Sequence, residues 1–321
     1  MRRSAATLAP GVIPALLVVY LVWGSTYLAI RLAIETLPGF TMAGARFLIA
    51  GAVLFAWGLW RGGRPGSWRQ LGPTFGIGAL LLLGGNGGVV WAEHRISSGT
   101  AALLVAVEPV WIALLAPALT GASRAGWKTF GGLALGIAGV ATLVIDPSGL
   151  DPTSVDPWGA AAVVFAALSW AIGSLWSVRA NLPSSRAVAT GQQMVAGGLL
   201  LAMAGGATGE WQRLDPARFS VASLLAFGYL VVFGSIVAFS AYGFLLRSTP
   251  PSVVATYAFV NPVVAVLLGW AVLDEPLDWR VAGASAMILA SVALIFGEHG
   301  EGRSRAASRA PADELCESPP A

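Results

Sequence analysis

The chain has 321 residues, 56% of them hydrophobic and 11% charged, with a formal net charge of +3. A soluble domain carries roughly 25% charged residues, so these charges cannot cover a soluble surface of this size and the apolar excess must face lipid. The modest net charge and the lack of any long block of like charges give no sign of a nucleic-acid-binding face.

A helix spans the hydrocarbon layer of about 30 Å with about 20 apolar residues. Ten stretches meet that demand: 11–32, 38–60, 71–92, 98–120, 127–145, 157–178, 187–207, 219–241, 250–273 and 279–297. The first follows Arg2 and Arg3, but its charge-free run from Ser4 to Ile30 exceeds the roughly 7–15 residues of a signal-peptide core. It reads as an uncleaved first helix. The second span encloses Arg46 and the fourth encloses Glu108, followed by Pro109. The third carries Gly84-Gly-Asn-Gly-Gly88, the fifth Gly132 and Gly136, and the ninth Asn261 followed by Pro262. Beyond the last span, 298–321 is polar and rich in small residues, and it reads as a disordered cytoplasmic tail. It holds Cys316, the one cysteine, so neither an internal disulfide nor a Cys/His metal site is expected.

Orientation follows from arginine and lysine in the short loops. With the N-terminus inside, thirteen basic residues lie on the cytoplasmic side and five on the outer side. Both termini are therefore expected in the cytoplasm, and the inner membrane of a bacterium is the expected location.

The sequence repeats. Arg46-Phe-Leu-Ile-Ala-Gly51 aligns with Gln192-Gln-Met-Val-Ala-Gly197 at an offset of 146, and Val107-Glu-Pro-Val110 with Val260-Asn-Pro-Val263 at an offset of 153. Trp23-Gly-Ser25 is echoed more loosely by Trp170 through Ser174. The halves are 11–145 and 157–297, each with five spans, and an odd number of spans inverts the second half relative to the first. The expected fold is thus an all-α membrane protein of ten transmembrane helices in two inverted five-helix repeats. Such repeats are a recurring device of secondary transporters, with the site near the midplane. The alternative is a duplicated, stable bundle that transports nothing.

With these motifs in view, the chain resembles the EamA family of the drug/metabolite transporter superfamily. The matching residues are Val22-Trp-Gly-Ser-Thr26, Ala45-Arg-Phe47, Ala92-Glu-His94, Ser98-Gly99, Val107-Glu-Pro109, Tyr257 and Val260-Asn-Pro262. The resemblance covers about residues 11–297 and implies a ten-helix exporter with a central cavity between the halves. Family members handle amino acids, other metabolites and drugs, so it does not name the substrate.

Glu108 is the most informative residue, because a carboxylate at helix centre costs about 2.5–3.5 kcal/mol on insertion scales and marks function by default. It reads as a binder of a substrate amine or a carrier of a coupling proton; the structural alternative is an ion pair or hydrogen bond to another helix. Pro109 and Pro262 each remove a helix hydrogen bond, which frees the carbonyls of Val105 and Ala258 or merely kinks the helix. Arg46 suits a carboxylate or phosphate, or it neutralises Glu108 or bonds helix carbonyls; Gln192 and Gln193 hold its place in the second half. Trp23, Ser25, Thr26, Trp91, Trp170, Ser174 and Tyr257 are candidates for lining the cavity, with helix packing as the alternative. The glycine stretch of the third helix reads as a hinge or gate with Asn86 facing the cavity, or as tight helix packing. Gly132 and Gly136 pack helices or a homodimer. Glu93, His94 and Arg95 lie at the outer mouth of the third span, where His94 reads as a solvated boundary residue, with a proton relay as the alternative.

The leading function is therefore secondary-active transport of a small molecule across the lipid bilayer, with protons as a candidate coupling ion and no cofactor. No P-loop appears to couple ATP. A non-transporting receptor or assembly protein would need larger loops. An intramembrane enzyme would need a HExxH helix, paired aspartates or a Gly-x-Ser-x-Gly elbow, and none is present.

Overall fold

A computed structural model describes residues 11–120, 127–144, 155–248, 254, 257–275, 277–291 and 294. The tail 298–321 with Cys316, the acidic loop residues Asp146 and Asp151, and the ends of the ninth and tenth spans lie outside these residues. The described chain is helical throughout its ordered elements, with no strand among the described residues.

Seven helices are long and apolar enough to cross a membrane. They are α1 (Val12–Ile34), α2 (Gly39–Trp60), α3 (Trp68–Ala92), α4 (Ser98–Leu119), α6 (Pro157–Arg179), α7 (Arg186–Ala207) and α8 (Val221–Leu245). Between and after them lie α5 (Trp127–Val144), α9 (Tyr257–Leu273) and α10 (279–291). For the seven long helices the expected boundaries hold to within a few residues, the largest difference being at α8, which continues past the expected end at 241. Its run stays free of charge up to Arg247, so nothing in the sequence stops the helix earlier. The expected start of the ninth span at 250 and end of the tenth at 297 lie outside the described residues.

The starts of the helices follow from capping chemistry. Asp156 accepts a hydrogen bond from the Gly159 N–H at 2.7 Å with Pro157 as the first helical residue. Ser97 caps α4 and Ser220 caps α8 in the same way. Each cap satisfies an amide that the helix cannot.

The closest helix pair is α2 with α7, and glycine explains it. Gly44, Gly51 and Gly58 recur every seven residues on one helix, Gly191, Gly198 and Gly205 on the other. A methyl group on Gly51 would meet the Gly191 carbonyl and Val195 N–H at 2.8 Å, and one on Gly198 would meet the Leu48 N–H at 2.9 Å. The backbones touch directly, as small residues allow in lipid, where dispersion rather than water exclusion drives packing. Smaller contacts serve the rim: Gly136 and Gly139 of α5 abut Ser291 and Ile288 of α10. Of the expected pair Gly132 and Gly136, Gly136 thus packs against a helix of the same chain.

Three helices are wound more loosely over part of their length. π-helical turns occupy Val19–Trp23 in α1, Ala79–Gly87 in α3 and Leu230–Val237 in α8. Such turns tend to occur at functional sites. In α3 the stretch is the glycine-rich one, and its glycines make tight contacts: a methyl group on Gly85 would strike Trp170, and one on Gly88 would strike Ala166, both at 2.9 Å.

Candidate functional site

A small cavity of about 80 Å³ lies between the helices. Its charged and polar walls are Arg46 from α2, Glu108 from α4, Asn86 from α3 and Asn261 from α9; Trp23, Trp170, Phe239 and Tyr257 supply the aromatic walls.

Glu108 is reached by a break in its own helix. The first segment of α4 ends at Val105 and the second begins at Glu108. Pro109 has no N–H to continue the ladder, and the turn between is closed by short-range bonds such as Val110 N–H to the Val107 carbonyl at 3.0 Å. Glu108 thus opens a helix N-terminus, where the macrodipole favours an anion. It is 3% exposed. The Tyr257 hydroxyl donates to its Oε2 at 2.8 Å.

Asn261 enters from α9 beside Pro262 and is 5% exposed. Its Oδ1 accepts no hydrogen bond. Gly24 makes room for it: a methyl group there would meet Val264 at 2.7 Å and the Asn261 Cα at 3.3 Å.

Arg46 is 2% exposed. Its Nε donates to Ser235 Oγ at 2.7 Å, and its guanidinium carbon lies 4.6 Å from the Phe47 ring centroid. Its terminal nitrogens find no acceptor among the described residues. Arg46 and Glu108 are not within ion-pairing distance of each other. The neutralising pair that the sequence allowed is not formed.

Trp23 is the hub of the aromatic wall. Its ring centroid lies 6.0 Å from Trp170, 5.3 Å from Phe239, 4.9 Å from Tyr242 and 5.5 Å from Tyr257. Edge-to-face contacts of this kind add about 0.5–1.5 kcal/mol each beyond buried area. The Trp23 Nε1 donates to the Gly234 carbonyl at 3.3 Å, in the π-helical part of α8. Trp170 Nε1 has no partner.

Of the residues expected at the cavity, Glu108, Asn261, Arg46, Trp23, Thr26, Asn86, Trp170 and Tyr257 do line it. Ser25, Trp91 and Gln192 do not. Ser25 shares a 2.6 Å hydrogen bond with the Tyr229 hydroxyl and ties α1 to α8. Trp91 stacks under the Arg95 guanidinium at 4.6 Å. Gln192 has a buried Oε1 without a partner and lies against Gly66. Phe239 and Ser235 were not legible in the sequence: a phenylalanine and a serine in an apolar run carry no signal of direction.

Just past the end of α3, His94 is exposed as expected, whereas the neighbouring Glu93 is 0% exposed. Arg31 donates to its backbone carbonyl rather than to its carboxylate.

A bundle of apolar helices around a polar cavity marks an integral membrane protein with a buried polar site, and comparison with known proteins gives it a family of transporters. The EamA-like transporter family model matches residues 10–145 and again 157–297, and the chain belongs to that family. It is 39% identical over 293 residues to the Escherichia coli K12 protein named as the uncharacterized inner membrane transporter YedA, covering 89% of this chain and 90% of that one. It is 27% identical over 289 residues to the chloroplastic WAT1-related protein At3g02690 of Arabidopsis thaliana, covering 86% and 67%. Protein PecM of Dickeya dadantii is 26% identical over 277 residues, with 86% of each chain covered. A solved crystal structure superposes with a TM-score of 0.61 at 21% identity, covering 92% of this chain and 98% of that one, which shows a shared fold.

Proposed function

We propose that the protein is a secondary-active exporter of small zwitterionic metabolites, working by alternating access at the central cavity. Ten membrane-spanning helices form two inverted five-helix halves, in the inner membrane, with both termini in the cytoplasm. The two separate family matches support the division. So does the pairing of irregularities: π-helical turns lie in the third helix of each half, α3 and α8. Pro109 and Pro262 lie in the fourth, α4 and α9.

One observation carries the substrate class. Two buried opposite charges, Arg46 and Glu108, line one cavity, and each has only a hydroxyl for a partner. Burying an unpaired charge costs several kcal/mol. A solute bearing both an ammonium group and a carboxylate would relieve both at once. Glu108 and the unpartnered Asn261 Oδ1 would take the ammonium, and the free Arg46 fork would take the acid. The aromatic wall around Trp23 would pack the remainder.

Glu108 is also the group suited to carry a coupling proton, in competition with the ammonium. The test is transport by purified protein in liposomes. Zwitterionic amino acids should accumulate on one side of the membrane as protons run the opposite way down an imposed pH gradient, and Glu108→Gln should abolish that accumulation at unchanged protein yield. Undiminished accumulation by the variant would remove Glu108 from coupling.

A further inference from the structure

We infer that Glu93 is a second proton-exchanging site, placed at the outer mouth, which takes up a proton from outer water as the mouth closes over it. The inference rests on the transport reading and on the proposed orientation. It starts from a carboxyl group with no structural task. Glu93 is wholly buried, and neither of its carboxylate oxygens has a hydrogen-bond partner. A buried carboxylate without partners is far costlier than the neutral acid.

The groups around it leave it alone. From α1, the Arg31 guanidinium is engaged by the Glu93 backbone carbonyl, and Tyr27 lies within electrostatic range. From the loop after α9, Glu275 is fully used: its Oε1 accepts from the Ser98 N–H and hydroxyl at 2.8 Å each, its Oε2 from the Gly99 N–H at 3.0 Å. Next along the chain, His94 is exposed and Arg95 pairs with Asp156 of α6 at 3.4 Å. Burial first, then the Glu275 charge, raise the affinity of Glu93 for a proton well above that of an ordinary glutamate; Arg31 opposes the shift.

The linkage follows. Once the mouth opens, water reaches the carboxyl and its pKa returns toward about 4.3. A group whose pKa is raised in the closed form stabilises that form fully at low pH and progressively less as pH rises through the raised value. Acid outside therefore holds the mouth shut with the proton bound to a Glu93 oxygen. Alkali releases the proton to outer water and opens the mouth.

The test uses accessibility and needs no transported solute. In a Cys316→Ser background, Ile96→Cys places a thiol beside Glu93 at a position 6% exposed, while Ala217→Cys reports an exposed outer loop. Spheroplasts are labelled with a membrane-impermeant maleimide between about pH 5.5 and 8.5, and the rate at 96 is divided by the rate at 217 to cancel thiol ionisation. The ratio should rise with pH, by at most about tenfold per unit for one proton. Glu93→Gln, and Glu93→Met as a second variant lacking the polar group, should hold the ratio flat at its acid value. A flat ratio in the parent, or an unaltered rise in both variants, would overturn the inference. A thiol at 217 that never labels in spheroplasts would overturn the orientation, and with it the outer placement of Glu93.

Discussion

Glu108 and Tyr257 share a single hydrogen bond across two helices, so their separate contributions can be measured. Removing the hydroxyl leaves the carboxyl without its donor, and an unsatisfied buried polar group costs about 1–3 kcal/mol. Tyr257→Phe should therefore weaken substrate binding roughly tenfold or more, with folded protein still obtained; isothermal titration on detergent-purified protein is the check, and unchanged affinity would show that the bond only packs α4 on α9. Arg46 gives the contrasting case. It is held by Ser235 and not by Glu108, so Arg46→Ala leaves no acid newly unpaired. The variant should fold at near-parental yield and lose zwitterions selectively while retaining cationic amines. A collapse in yield for Arg46→Ala together with Arg46→Gln would return Arg46 to a structural role. Both residues were legible in the sequence because a charge within an apolar span is physically expensive. Ser235, which orients Arg46, was not, because a serine satisfies its own hydroxyl within a helix at almost no cost and so sends no signal.

At the scale of the element, the contact between α2 and α7 depends on atoms that are absent. The seven-residue spacing of glycines on both helices was visible in the sequence, but the facing of the two rows was not, since periodicity describes one helix at a time. Gly51→Ala places a methyl group 2.8 Å from backbone atoms of α7 that cannot swing aside, and overpacking of this kind costs about 1–3 kcal/mol. Its melting temperature should fall by several degrees in a thermal-shift assay. Gly72→Ala in α3 meets nothing within 4 Å and should leave the melting temperature unchanged or raise it slightly, since alanine is the better helix former. Equal effects from the two substitutions would mean that α2 and α7 are not in direct backbone contact. Seven of the ten expected spans are found as helices long and apolar enough to cross a membrane, and these were legible because lipid imposes one rule on every helix. The burial of Glu93 was not legible for the complementary reason. It follows the last residue of α3 by one position, and whether such a residue is wet or buried depends on tertiary packing that no single helix carries.

At the scale of the whole molecule, two glutamates tie the halves together at one end, while at the other end Gln70 donates to Asn181 and the Leu182 carbonyl at 3.1 and 3.0 Å. Glu210, after α7, accepts from the Phe40 and Thr41 amides at the start of α2 at 3.0 and 2.7 Å. Glu275, after α9, does the same for Ser98 and Gly99 at the start of α4. Each is an anion at a helix N-terminus, the favourable end of the dipole. Ser223 adds a 2.8 Å bond to the Leu32 carbonyl, and Thr36 accepts from the Ser220 N–H at 3.1 Å. In the proposed orientation, which puts thirteen basic residues on the opposite side against five here, this glutamate-bonded end is the outer one. The prediction can be read from the native chain, whose single cysteine, Cys316, follows the last span. In intact spheroplasts a membrane-impermeant maleimide should leave Cys316 unmodified, and permeabilisation should expose it fully. Labelling of Cys316 before permeabilisation would place the tail outside. The glutamate-sealed end would then face the cytoplasm, and the cavity would open outward in this conformation.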